Sequence, residues 1–147
     1  MNSLFHLDLK ERLKIENQIS KRLLERDEIT FAYLYGSFIL NVPFHDIDVA
    51  VFIDQMKAEI DDTLEYELQL SIDLELQIKI PIDIKIMNNA PLPLKYNIIK
   101  GKILFYRDKE QLYTFKEKTC TEYLDFKPYY ISALKYLYNL PISYKKL

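Results

Sequence analysis

The chain has 147 residues, of which 49% are hydrophobic and 29% charged, with a net charge of −2. That is enough length and apolar content for one core, and the near-neutral balance removes any bulk electrostatic case for nucleic-acid binding. No apolar run approaches the ~18 residues of a membrane span, no basic-then-apolar leader opens the sequence, and the single cysteine, Cys120, has no internal partner, so a soluble protein of the reducing cytoplasm is expected.

In chain order, Asp8 to Arg26 reads as a helix. Leu9 and Leu13, then Ile15, Ile19 and Leu23, recur at four-residue spacing behind a capping Asp8. Glu28 to Tyr35 follows as a strand buried on both faces, then a Gly36-Ser37 turn, then a second strand from Asp46 to Ile53. From Leu64 to Ile86 every even-numbered position is apolar, which by period alone is strand. One strand of that extent exceeds the ~3 to 10 residues of ordinary strands, and the Leu, Glu and Gln content favours helix. A helix over Ala58 to Gln77 and a strand over Ile82 to Met87 are therefore expected.

Pro91 and Pro93 suit the first turn of a short helix ending near Gly101, and Lys102 to Tyr106 reads as an edge strand. Asp108 to Leu137 is helical, with a break or kink expected at Lys127-Pro128, and Asn139 to Leu147 is a tail. Charge is uneven along this order: residues 1–94 carry net −8 and residues 95–147 net +6. That asymmetry fits either a basic surface for an acidic partner or a set of solvated helix faces.

The chemistry concentrates between Phe31 and Asp54. Asp46 and Asp48, two apart on an extended strand, project from the same face. Adjacent anions repel in a dry place, and a hard divalent cation such as Mg2+ keeps both ionised; a pair of solvated aspartates is the plainer alternative. Gly36, one of only two glycines, stands where the first strand must break, where backbone can approach a phosphate closely and the following N–H groups can cradle an anion. Asp83 is expected on the polar face of its strand with the neighbouring lysines, and His45 reads as a loop residue, with phosphate contact as the lesser alternative.

The run Y-L-Y-G-S ending at Ser37, a short linker, D-I-D-V-A-V from Asp46 and the later strand aspartate Asp83 resemble the minimal nucleotidyltransferase branch of the polymerase-beta-like superfamily, and more narrowly the antitoxins encoded beside HEPN toxins. Weaker likeness continues through Lys100 to Tyr106 and Tyr123 to Phe126. The resemblance implies an α/β (α+β) fold, a small mixed β-sheet flanked by helices, as a single domain over 1–147 with a helical portion from about residue 108.

It further implies that Asp46 and Asp48 are the main ligands of one or two Mg2+ ions, with Asp83 the third carboxylate and positioned to activate the attacking hydroxyl. Gly36 and Ser37 would hold the phosphates of ATP, and AMP would pass to a tyrosine of a cognate HEPN ribonuclease toxin, with no membrane and no direct nucleic acid involved. The linker departs from the family pattern: eight residues separate Ser37 from Asp46, and they include neither arginine nor glycine. Two competing readings are an antitoxin that neutralises by contact alone, which the altered loop favours, and a nucleotidyltransferase for a small molecule. Aromatic content points to a partner as well, since 12 tyrosines and 8 phenylalanines exceed what one small core needs and many crowd the C-terminal helices.

Overall fold

The computed structural model describes residues 3–138; the expected tail at Asn139 to Leu147 lies outside the described residues. Helix α1 spans Leu9–Leu24, strand β1 Ile29–Tyr35, a 3-10 turn Ser37–Leu40, β2 Ile47–Ile53, α2 Thr63–Ile78, β3 Ile82–Ile86, α3 Leu92–Ile99, β4 Lys102–Tyr106 and α4 Lys109–Tyr138. The four strands form one mixed sheet in the order β3-β2-β1-β4. β1 runs antiparallel to β2 and β4, while β2 and β3 are parallel, with α2 as the crossover that a parallel pair requires.

Both faces of the sheet are covered, which is why all seven residues of β1 are buried. On one face Ala32, Leu34, Val49 and Val51 meet Ile19 and Leu23 of α1 and Leu70 and Leu74 of α2. On the other, Phe31, Tyr33, Tyr35 and Ala50 meet Ile98 and Ile99 of α3 and Leu112 of α4. The expected cap of α1 is present as a full capping box, with Asp8 accepting from the Glu11 N–H at 2.8 Å and Glu11 accepting from Asp8. Leu9 and Leu13, read as part of its apolar stripe, are instead exposed; the buried face is Ile15, Ile19 and Leu23 together with Arg12.

The long alternating segment is helix followed by strand, as expected, but α2 begins at Thr63 rather than Ala58. Asp54 folds residues 56–58 into a turn, and Asp62 sets the helix start by accepting from the Glu65 N–H at 3.0 Å. The period of two has a helical explanation. Tyr66, Leu70, Leu74 and Ile78 form one ridge at four-residue spacing that packs on the core, and Leu64, Leu68, Ile72 and Leu76 form a second that faces solvent. Interleaved, two such ridges imitate a strand.

Of the break or kink expected at Lys127-Pro128, the break is absent: α4 continues through Pro128 to Tyr138. Pro128 has no N–H to offer the Leu124 carbonyl, a loss that an exposed helix tolerates. β4 is an edge strand, as expected; β3, at the other edge, has its Ile82 and Ile86 N–H groups taken by Glu75 and Glu67 of α2 at 2.7 and 2.8 Å.

Candidate active site

The antiparallel register sets Tyr35 opposite Asp48, and the parallel register sets Asp48 opposite Asp83. Ile47, Val49, Ile82 and Ile84 fill the core under α1 and α2, so alternation sends Asp46, Asp48 and Asp83 to the opposite face. That face is roofed by α3 and α4 over Phe31, Tyr33 and Ala50, whereas at the carboxylate end Asp46 and Asp48 are half-buried and Asp83 is exposed. The sheet thus sets Asp48 and Asp83 side by side on adjacent strands, with Asp46 immediately before β2, at one open edge of a covered face.

Their mutual repulsion is visible at the central member. Burial, together with the charges of Asp46 and Asp83, pushes the Asp48 carboxyl up to about 6, against a smaller opposite effect of Lys85. Tyr35, buried beside it, is pushed well above the usual phenol range by burial and then by Asp48 and Asp83, so it stays protonated. Such a donor set suits a hard cation: all oxygen, anionic and short of positive charge. Among the described residues no three acidic, histidine or cysteine side chains close into a ready-made cation cage. An open face of carboxylates still fits Mg2+, which keeps several waters and takes one or two protein carboxylates plus substrate oxygens.

Gly36 has φ +80° and ψ −160°, and a Cβ built there would overlap the Asp48 carboxylate. Both the backbone and the neighbour require glycine, so Gly36→Ala is expected to destabilise the fold by roughly 2 to 3 kcal/mol; denaturant unfolding reads it, and a change below the error of the midpoint would contradict it. Ser37 follows as the first residue of the 3-10 turn, one residue beyond the glycine that touches Asp48. Gly36 therefore lies against the Asp48 carboxylate, with Ser37 next in the chain.

A residue that the sequence reading missed organises this turn. Arg12 of α1 is 6% exposed, and its guanidinium donates to the carbonyls of Phe38, Val42 (2.9 Å) and Leu7 (3.2 Å). It also lies 5.2 Å from the Phe38 ring centre and 5.1 Å from that of Phe44. Among the described residues Arg12 makes no ion pair, so its charge is spent on fixing both ends of the loop after Ser37. The greasy linker is thereby a packed one: Phe38 and Phe44 stand edge to face at 4.9 Å, and Phe5 stacks on Phe44 at 5.6 Å. The signal in the sequence is a lone arginine on the apolar side of α1. His45 is a loop residue, its Nδ1 2.9 Å from the Ser3 carbonyl.

The C-terminal aromatics divide between packing and exposure. Tyr123 stacks on Tyr96 at 3.8 Å, while Tyr129, Tyr136 and Tyr138 are 70, 89 and 70% exposed. No described helix is long and apolar enough to cross a membrane.

Residues 17–110 match the sequence model of the family described as "Polymerase beta, Nucleotidyltransferase". No curated protein sequence matches the chain. Among solved structures, it is similar to a chain in the complex of a tri-AMPylated Shewanella oneidensis HEPN toxin with an MNT antitoxin, with TM-score 0.68, 22% identity and coverage of 86% of this chain and 98% of that one. It is likewise similar to a chain of a toxin–antitoxin with AMP-PNP, with TM-score 0.70, 22% identity and coverage of 83% and 97%. A third likeness is to the toxin–antitoxin MntA–HepT, with TM-score 0.66, 22% identity and coverage of 85% and 97%. These likenesses establish the fold, which is the small mixed sheet flanked by helices that the motif implied.

Proposed function

Because the chain belongs to the polymerase beta nucleotidyltransferase family, we propose that it is an antitoxin adenylyltransferase, moving AMP from Mg-ATP to a tyrosine of a cognate HEPN ribonuclease toxin. The observation that carries the reading is the placement of Asp46, Asp48 and Asp83 on one open face beside the Gly36-Ser37 turn. The whole chain, 1–147, is taken as one catalytic domain with α4 as its helical extension.

Asp46 and Asp48 hold the metal and Asp83 completes the set; the cation supplies charge neutralisation at the phosphates of the nucleotide. The backbone around Gly36 and the Ser37 hydroxyl bind phosphate oxygens, kept in place by Arg12 through the carbonyls of Phe38 and Val42. Asp83, the most exposed of the three, takes the proton of the attacking tyrosine. The tyrosine oxygen forms a bond to the α-phosphorus, the bond to the α–β bridging oxygen breaks, and pyrophosphate leaves. A bulky anion beside an RNA-cleaving centre repels and obstructs RNA.

The test is ATP labelled at the α- or the γ-phosphate, incubated with Mg2+ and the toxin. Label on a toxin tyrosine from the α position only, with release of pyrophosphate, is expected; label from the γ position, or none, would contradict the reading.

A pH dependence follows from Asp48. Ligation needs its ionised form, so transfer is expected to fall about tenfold per unit as pH drops below about 6 at low Mg2+, and the limb is expected to move to lower pH as Mg2+ is raised. A profile flat from pH 7 to 5, or one indifferent to Mg2+, would contradict this role.

A further inference from the structure

The carboxylate face also carries a cation. Lys85 stands two residues beyond Asp83 in β3, where the parallel register sets it opposite Ala50, itself two residues beyond Asp48. Ala50 belongs to the layer under α3 and α4, whereas Ile82 and Ile84 fill the core on the other side, so alternation puts Lys85 on the face of the three aspartates. Its charge is felt there: among the described residues it is the one positive group that acts on Asp48, against burial and two neighbouring carboxylates.

Lys85 is half-buried, yet among the described residues its ammonium makes no ion pair, hydrogen bond or ring contact. Bases elsewhere in the chain do close on their acids, Lys102 on Glu16 at 2.7 Å and Arg22 on Asp73 at 2.6 Å. A half-buried ammonium forfeits part of its hydration, and an anion that pairs with it restores the loss. Three carboxylates and one ammonium, moreover, leave the charge that a single divalent cation cancels.

The phosphates of a nucleotide find no such charge at the turn that receives them. The linker after Ser37 contains neither lysine nor arginine, and Arg12, packed against it, gives its guanidinium to the carbonyls of Leu7, Phe38 and Val42. Gly36 and Ser37 lie on the β1 side of Asp48, and Lys85 lies on the β3 side. In the proposed function the tyrosine attacks beside Asp83 and pyrophosphate leaves toward the turn, so the phosphate on the β3 side is the α-phosphate. Residues two apart on a strand are separated by about 6.6 Å, a distance that a lysine side chain spans.

We propose that Lys85 pairs with the α-phosphate of the bound nucleotide, supplying at the transferred group the positive charge that the linker lacks. This rests on the proposed function for the identity of the nucleotide, and on the register and the unspent charge for the residue.

The experiment uses calorimetry with Mg2+ and without toxin, so that no transfer intervenes. It compares AMP, which has only the α-phosphate, with pyrophosphate, which stands for the two that leave. Lys85→Met is expected to weaken AMP binding about tenfold and pyrophosphate binding by less than about twofold, while Lys85→Arg keeps AMP within about threefold. In phosphorus NMR of bound ATP, the α resonance is expected to move in Lys85→Met and the β and γ resonances to stay. Circular dichroism and the melting temperature check that the variants fold.

Equal losses for AMP and pyrophosphate would make Lys85 a group that only tempers the acid cluster at a distance, and would overturn the proposal. Unchanged AMP affinity in the folded Lys85→Met protein, an unmoved α resonance, or a parent that binds no AMP would overturn it as well. A parent that binds AMP through Lys85 but places no α-label on the toxin would overturn the proposed activity and leave the contact standing; α-label on the toxin, with AMP affinity indifferent to Lys85, would do the reverse.

Discussion

Replacing Asp48 with asparagine is expected to abolish AMP transfer, by a factor of about 10³ or more, while making the nucleotide-free protein more stable. The two effects share one cause. The Asp48 carboxyl is pushed up to about 6 from an ordinary 3.8, first by burial and then by Asp46 and Asp83. A raised folded-state value means that the fold favours the protonated form. The stabilisation from this group is present below pH about 4 and is lost as pH rises through about 6, so at neutral pH the ionised carboxylate opposes folding. Asparagine removes that charge at nearly constant shape. With allowance for solvent at a half-buried site, the gain is roughly 1 kcal/mol, a rise of a few degrees in melting temperature. Mg2+ with a nucleotide is expected to stabilise the parent protein and not the variant. A variant that is less stable than its parent at pH 7.5, or that retains transfer, would contradict the assignment of Asp48.

The second large effect is expected at Arg12. Arg12→Met keeps much of the volume and the aliphatic packing, but it strips partners from the carbonyls of Leu7, Phe38 and Val42, in hydrogen bonds that are buried at Phe38 and part-buried at the other two. Several hydrogen bonds from one charged donor disappear together, so a loss of roughly 3 to 4 kcal/mol in unfolding free energy is expected. The functional consequence is separable from the structural one. At a temperature where the variant is fully folded, the KM for ATP is expected to rise about tenfold, while affinity for the toxin stays within about twofold, because the role proposed for the turn is to hold phosphate. Arg12→Lys keeps the charge but loses the planar fork, and is expected to fall between the two. An unchanged KM in the folded variant would reduce Arg12 to a purely structural residue.

What was legible in the sequence was what is local. Gly36-Ser37 and the Asp46, Asp48 pair are punctuation between two apolar runs, so the strand break and the shared face follow from the period of two alone. The convergence with Asp83 was not local, because it depends on a parallel register across a 16-residue crossover helix. Only the resemblance supplied it; the register pairs Asp48 with Asp83. Arg12 was invisible because two of the carbonyls it holds are 26 and 30 residues away, and nothing in the helix pattern distinguishes a buried arginine from a solvated one.

The alternation from Leu64 to Ile86 misleads in a definite way. A helix with two apolar ridges at four-residue spacing, one inside and one outside, has the same odd-even pattern as a strand. Length and composition resolved the helix, but not that its outer ridge lacks a partner. Pro128 does not end α4, because an exposed helix tolerates the lost hydrogen bond. The cap at Asp62, which starts α2 five residues later than composition put it, shows how a single side chain overrides a favourable run of helix formers.

The most direct measurement is the intact mass of the cognate HEPN toxin after incubation with this protein, ATP and Mg2+, beside an Asp46→Ala, Asp48→Ala control. The account predicts a toxin heavier by one or more AMP units, with no gain in the control although the control still binds the toxin. An unmodified toxin in a tight complex, indifferent to the two aspartates, would contradict the transferase and leave an antitoxin that works by contact alone.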